Sequence, residues 1–220
     1  MNFGKKMRLR EEAGILRQFS ILKKADVPTL DALRILGDTY RNLADELKAI
    51  HDMVRNGKSL YVSMRTEDGT FSSFVPGMVF VGEMAGVLDE ALSDCSEIVQ
   101  ATSDLTNIFW SPNEDEILRM TDFAMMAMLL NSGLSFMTCL KIVTEMSKST
   151  NQKTWVAVEK MLAETGTSVM EAMVKFPESF PNAVIAMVKT GQISNSTVHA
   201  FNRIVDYLKF DVLQITPPCV

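Results

Sequence analysis

The sequence predicts an all-α fold made of two tandem six-helix bundles related by internal duplication. Apolar residues recur at helical spacing along most segments, and short stretches rich in Gly, Asn or Pro separate those segments. The stretch 71–92 also has a diverged copy at 180–201. Its glycines Gly82 and Gly191 are 109 residues apart, as are its other matched residues. A repeat of that length indicates a duplicated domain.

The first three helices follow from apolar spacing. Helix one is predicted from about Glu11 to Lys24, and Pro28 suits the first turn of helix two because its missing N–H needs no partner there. Helix three ends at Asn56-Gly57, where either residue accepts a left-handed cap. The apolar stripes consist of Ile15, Leu16, Phe19 and Leu22, then Leu30, Leu33 and Leu36, then Leu43, Leu47, Ile50 and Val54.

The last three helices of the first half surround a glycine-containing turn. Ser59 can cap a short fourth helix. Helices five and six join through residues 82–86. A tight turn between helices needs residues that accept a positive φ or a close backbone approach. Gly82, Gly86 and, in the second copy, Gly191 are therefore expected to be structural turn residues.

The second half has the same plan. Its first helix is predicted at 115–131, its third at about 151–164, and its last ends near Asp211. These positions give a first bundle at 1–105, a linker at 106–116 and a second bundle at 117–220. The linker contains Trp110 and Pro112 and ends in acids that suit the first turn of the next helix.

One motif within the repeat is specific. Residues 82–89 read Gly-Glu-Met-Ala-Gly-Val-Leu-Asp and follow Phe71 and an apolar run. The motif resembles the signature of the type II secretion F-protein family, the inner-membrane platform proteins of type II secretion and type IV pilus machines. The second copy departs from it with Gln192 for Glu83, Asn195 for Gly86, Thr197 for Leu88 and Val198 for Asp89. With the repeat, the resemblance covers about residues 11–212.

The resemblance implies two helical bundles and a non-catalytic role. A member would act as a scaffold on the cytoplasmic face of the bacterial inner membrane. It would contact the assembly ATPase and couple that ATPase to pilin movement. Other inner-membrane assembly proteins, and further copies of the chain itself, are implied as partners.

The sequence departs from this family in its membrane segments. Members usually have two spanning helices between the repeats and a third after the second. Here only residues 102–116 join the repeats, and the longest apolar run, 123–130, has eight residues where a span needs about 20. Either the chain is a relative without spans or the spans have been removed. The alternative function is therefore a soluble helical adaptor or regulator that uses the same fold.

Composition excludes several classes of function. A net charge of −5 argues against nucleic-acid binding. The basic residues at the start, Lys5, Lys6, Arg8 and Arg10, suit either anionic lipid headgroups or a solvated terminus. The three cysteines, Cys95, Cys139 and Cys219, lack metal-ligand spacing and indicate a reducing compartment.

No residues form a recognisable catalytic set. His51 and His199 are isolated and lie in different repeats. The sequence has no Gly-rich phosphate loop and no zinc-ligand spacing. We therefore expect the chain not to be an enzyme.

The candidate functional residues are the acids of the first signature, Glu83, Asp89 and Glu90. Three interpretations remain open. The acids can contact a basic partner surface, or Glu83 and Asp89 can supply oxygen ligands to Ca²⁺. Alternatively, an acid near the start of helix six can cap that helix.

Limited proteolysis tests the domain boundaries. We expect the first cleavage between about Thr102 and Glu116, because this is the longest polar, Pro-containing joint. Trypsin is unsuitable, since no Lys or Arg lies between Arg65 and Arg119. Proteinase K followed by mass spectrometry serves instead. Early cleavage within 43–54 would contradict the map.

Overall fold

Helices make up most of the described chain. The computed structural model describes residues 3–65, 70–105 and 113–213, and in the first helix it describes side chains from Arg8 onward. Within these ranges the structure contains no strand, which confirms the all-α prediction. The predicted features at Lys5, Lys6, Pro112 and Cys219 lie outside the described side chains.

The chain forms two compact units, Met1–Ser111 and Pro112–Val220, each with six α-helices in its described part. The first unit contains α1 (Phe3–Lys24), α2 (Thr29–Thr39), a 3-10 turn (Arg41–Leu43), α3 (Ala44–Arg55), α4 (Leu60–Met64), α5 (Val75–Ala85) and α6 (Leu88–Leu105). The second contains α7 (Glu114–Asn131), α8 (Phe136–Met146), α9 (Gln152–Thr165), α10 (Val169–Val174), α11 (Asn182–Ile193) and α12 (Thr197–Leu213).

Two predicted boundaries change. Helix α1 begins at Phe3, before the predicted Glu11. Its basic first turns carry no apolar stripe, but Lys, Arg and Met are good helix formers. The predicted linker 106–116 overlaps α7, since residues 114–116 form the first turn of that helix, with Asn113 as its cap. Residues 106–112 of the linker lie outside the described ranges.

Both units use the same packing plan. In the first, α1 lies along α6, α5 packs on α6, α2 packs on α3, and the short α4 contacts both α3 and α5. In the second, α7 lies along α12, α11 packs on α12, α8 packs on α9, and α10 contacts both α9 and α11. The duplication inferred from sequence is therefore a duplication of helix order and of helix contacts.

The apolar stripes form the core of each unit. In the first unit seven of the eleven predicted stripe residues are buried, namely Ile15, Leu16, Phe19, Leu33, Leu36, Leu47 and Ile50. The other four, Leu22, Leu30, Leu43 and Val54, are half-buried. In the second, the core has aromatic residues at its centre. Phe123 contacts the rings of Trp155, Phe180 and Phe201 at centroid distances of 5.3, 6.2 and 6.1 Å. Edge-to-face and tilted pairs of this kind add stability beyond the area they bury.

The turns of the two units require the same backbone conformation. Among its described residues, each unit has three with positive φ, at matching places. At the end of α5, Gly86 has φ 73°, and its counterpart Asn195 after α11 has φ 52°. Asn enters this left-handed region more readily than most residues, so it can replace glycine there. The other two pairs are Asp26 (φ 57°) with Gly133 (φ 85°), and Gly57 (φ 85°) with Gly166 (φ 63°).

Of the two reasons for glycine at this turn, Gly82 and Gly191 meet the second, a close approach of two helices, and neither is among the described residues with positive φ. They lie inside α5 and α11, within the last turns of these helices. A Cβ added at Gly82 would lie 2.6 Å from the Cβ of Ala91 on α6, and one at Gly191 would meet the Cβ of Ala200 at a still shorter distance. Both glycines are therefore needed where two helices approach closely.

We expect Gly82→Ala to destabilise the protein by about 1–3 kcal/mol, because the added methyl group overpacks the contact with Ala91. Urea unfolding followed by circular dichroism measures the change. Gly37→Ala in α2 is the matched control, since its new Cβ would meet only the Cβ of Leu47, at 3.9 Å. That control should be neutral or slightly stabilising. Equal effects of the two substitutions would contradict the packing argument.

Candidate functional site

The signature residues form the corner between α5 and α6. Gly82–Ala85 are the last turn of α5, Gly86 is its left-handed cap, and α6 begins at Leu88. The amide of Val87 donates to the carbonyl oxygen of Gly82 at 2.9 Å, which closes the corner. The corner fixes the start of α6 directly beside the end of α5.

Glu83 caps a helix, but a different helix from the one expected. Its two carboxylate oxygens accept hydrogen bonds from the backbone N–H groups of Leu60 and Tyr61, each at 3.2 Å. These are the first two residues of α4. The next N–H, of Val62, donates to the hydroxyl of Ser59 at 3.3 Å. Glu83 therefore satisfies free donors of α4 rather than of α6.

The second unit keeps this contact without the charge. Gln192 occupies the position of Glu83, and its side-chain oxygen accepts a hydrogen bond from the N–H of Met170, in α10, at 3.2 Å. Ser168 and Glu171 complete the cap as a capping box. The contact thus requires an acceptor oxygen, which an amide supplies as well as a carboxylate.

Asp89 and Glu90 form the first turn of α6, where the helix dipole favours negative charge. Glu90 is exposed and Asp89 is half-buried. The backbone oxygen of Asp89 accepts a hydrogen bond from the hydroxyl of Ser20 at 2.8 Å, which ties α6 to α1. In the second unit Val198 replaces Asp89 and His199 replaces Glu90. The structure therefore places Glu83 in a cap and Asp89 with Glu90 on the α6 surface.

Sequence reasoning missed the continuation of this acidic surface. Asp94 and Glu97 follow Glu90 at i+4 and i+7, so they lie on the same side of α6. The helix contains five acids and no Lys or Arg. The signal was the helical spacing of acids beyond the signature. The corresponding positions of α12 are His199, Arg203 and Asp206, which do not all carry the same sign of charge.

A buried carboxyl group on α1 binds the segment that precedes α5. Glu12 on α1 is 5% exposed, and it accepts hydrogen bonds from the N–H and the hydroxyl of Ser72 at 2.6 and 3.0 Å. Ser72 lies just before α5. Burial raises the pKa of Glu12, against the lowering effect of the Ser72 hydrogen bonds and the Arg8 charge. Glu12 thus positions the segment that leads into the signature.

Other candidate chemistry is limited within the described part of the chain. No group of three or more His, Cys, Asp or Glu residues there is arranged to hold a metal ion. Cys95 and Cys139 are buried thiols, and burial raises the pKa of Cys139 to about 11. Among the described helices, none combines the length and the apolar character that a bilayer span requires.

The sequence was compared with models of known protein families. The model for "Type II secretion system (T2SS), protein F" matches residues 15–110 and again residues 123–214. Each match covers most of one structural unit. A search of curated proteins found no match.

The cap on α4 can be tested by substitution. We expect Glu83→Ala to destabilise the protein by about 1 kcal/mol, because two N–H groups of α4 lose their acceptor. Glu83→Gln should cost less, since Gln192 makes the same kind of contact. Urea unfolding measures both. Asp38→Ala is the control, an exposed acid of the same unit that lies outside the first turn of its helix. Equal stability of the Glu83→Ala variant and the wild type would contradict the cap.

Added calcium tests the interpretation in which Glu83 and Asp89 together bind Ca²⁺. If the two carboxylates hold Ca²⁺, added calcium raises the melting temperature of the wild type but not of a Glu83→Gln, Asp89→Asn double variant. If they do not, calcium shifts neither protein. The double variant keeps a side-chain oxygen at each position, so the comparison isolates the charge.

Proposed function

Since this chain belongs to the type II secretion system protein F family, we propose that it is a non-catalytic platform component that contacts the assembly ATPase of a secretion or type IV pilus machine. The observation that carries the proposal is the double family match, which falls on both structural units. Proteins of this family are platform components of such machines. The ATPase contact and the coupling to pilin movement are the parts that need testing.

The acidic surface of α6 is the best candidate for the ATPase contact. Asp89 and Glu90 begin it, and Asp94 and Glu97 continue it along the same side of the helix. The corresponding part of α12 has mixed charge, so that helix offers no equivalent acidic surface. A basic surface on the partner complements the α6 acids, and such complementarity increases the association rate and specificity.

Glu83 stabilises the fold and is a poorer candidate for partner binding than the acids of α6. Both of its carboxylate oxygens already accept backbone hydrogen bonds from α4. A substitution there would change stability and surface charge together. Asp89 and Glu90 are therefore the better probes of partner binding.

The proposed location is the cytoplasmic face of the inner membrane. An assembly ATPase that consumes cytoplasmic ATP can reach its platform only from that side. Other inner-membrane assembly proteins and further copies of this chain are proposed as neighbours in the machine. Fractionation of cells that express the natural gene, with antibody detection of the chain, tests the location.

We expect an Asp89→Asn, Glu90→Gln variant to bind the cognate ATPase more weakly at low salt. Exposed charge pairs contribute up to about 1 kcal/mol each, so the dissociation constant should rise by up to about fivefold per charge. Biolayer interferometry at about 50 mM and about 500 mM salt measures this. The difference should shrink at the higher concentration because salt screens exposed charges.

The matched control is Asp45→Asn, Glu46→Gln. This adjacent pair also lies in the first turn of a helix of the same unit, α3. The control should bind as the wild type does. Equal weakening by both variants would indicate a general charge effect and contradict an α6 contact. Failure of the wild type to bind the ATPase, with recovery in the soluble fraction, would favour the adaptor function instead.

A further inference from the structure

A buried carboxyl group in the second unit organises the link between α8 and α9. Asp122 on α7 is fully buried. One of its oxygens, Oδ2, accepts hydrogen bonds from the hydroxyls of Ser147 and Ser149, at 2.8 and 2.6 Å, and from the indole N–H of Trp155, at 3.1 Å. These donors come from the α8–α9 link, residues 147–151, and from α9.

The link depends on these contacts for its shape. The hydroxyl of Ser149 lies 3.1 Å from that of Ser147 and accepts a hydrogen bond from the N–H of Asn151 at 3.1 Å. Asn151 in turn donates to the carbonyl oxygen of Ser179, before α11, at 3.1 Å. A change at Asp122 therefore reaches α8, α9 and the segment that enters α11.

The two oxygens of Asp122 have unequal surroundings. Oδ1 is buried and has no hydrogen-bond partner among the described residues. A neutral carboxyl group can keep its proton on Oδ1 at modest cost. When the carboxyl group is ionised, part of its negative charge lies on Oδ1, where no described donor compensates it. Burying an uncompensated charge costs more free energy than burying an unpaired hydroxyl.

The charged neighbours do not offset that cost. Besides burial, the groups that shift the pKa of Asp122 are three uncharged donors, the two serine hydroxyls and the indole, and one charge on α7; none is a charged group of the link, α8, α9 or α12. On α7 itself, Asp115 is the described charge that affects it, and that charge is negative. Asp115 is occupied by an ion pair with Arg119 at 2.7 Å and by hydrogen bonds from Thr150.

We propose that Asp122 is a proton-controlled latch on the α8–α9 link: the neutral carboxyl group holds the link closed, and ionisation loosens it. The first unit has no such latch at the corresponding place, because Ile15 of α1 aligns with Asp122 when the turns at Asp26 and Gly133 are matched. The latch would let the second unit respond to pH independently of the first.

The direction of the pH effect follows from linkage. Burial raises the pKa of Asp122 to about 7, although the hydrogen bonds from Ser149, Ser147 and Trp155 lower it. In an opened link the carboxyl group regains a pKa near 3.8. A raised pKa stabilises the closed form fully below about pH 4, and this contribution is lost as the pH rises through about 7. Opening should increase by up to about tenfold per pH unit within that window.

Hydrogen exchange of the full chain between about pH 5 and 7 tests the latch. Peptides that cover Ser147–Asn151 are followed by mass spectrometry, and rates are corrected for the intrinsic pH dependence of amide exchange. The wild type should show the increase in opening. Asp122→Asn, which keeps the shape but cannot ionise, should show little change. The same pH dependence in both proteins would overturn the proposal. Peptides from α3 should behave alike in both proteins.

A second measurement covers the case in which Asp122→Asn does not fold. Trp155 donates to Asp122, so its fluorescence should change with a midpoint near pH 7 when the carboxyl group ionises. The Trp110→Phe background removes the other tryptophan of the chain. A signal without a midpoint between about pH 5.5 and 8.5 would overturn the proposal.

Discussion

The close approach of two helices at a glycine is the constraint on which each unit depends. Gly82 brings α5 within contact of Ala91 on α6, and Gly191 does the same for α11 and Ala200 on α12. A side chain at either glycine would separate the helices. The most extensive helix contact is that of α1 with α6 in the first unit and that of α7 with α12 in the second. The spacing between α5 and α6, or between α11 and α12, therefore affects where this contact lies. The same approach places residue 83 beside the start of α4.

Much of the fold could be predicted because its signals are local. Apolar spacing, the cap at Ser59, and the left-handed residues Gly57 and Gly86 each act within a few residues. The repeat strengthened the prediction, since a helix or turn with a weak signal in one copy was supported by its counterpart in the other. Family membership could be predicted for the same reason, because the signature is a short continuous motif.

The site could be predicted only in part, because its contacts join residues distant in sequence. Glu83 was recognised as a candidate cap, but its partner Leu60 is 23 residues away, and sequence spacing alone pointed to α6 instead. Asp122 was missed altogether. It precedes the apolar run 123–130, and its serine partners come 25 and 27 residues later. Only the folded arrangement of α7 against the α8–α9 link brings these groups together.

The cap shared by Glu83 and Gln192 has a genetic consequence. Glutamate and glutamine codons differ by a single base, and both side chains offer the oxygen that the helix start requires. A lineage can therefore change the charge at this corner in one mutational step without passing through an unfolded intermediate. Duplicated units that bind different partners can therefore acquire different surface charges while they keep the same backbone fold.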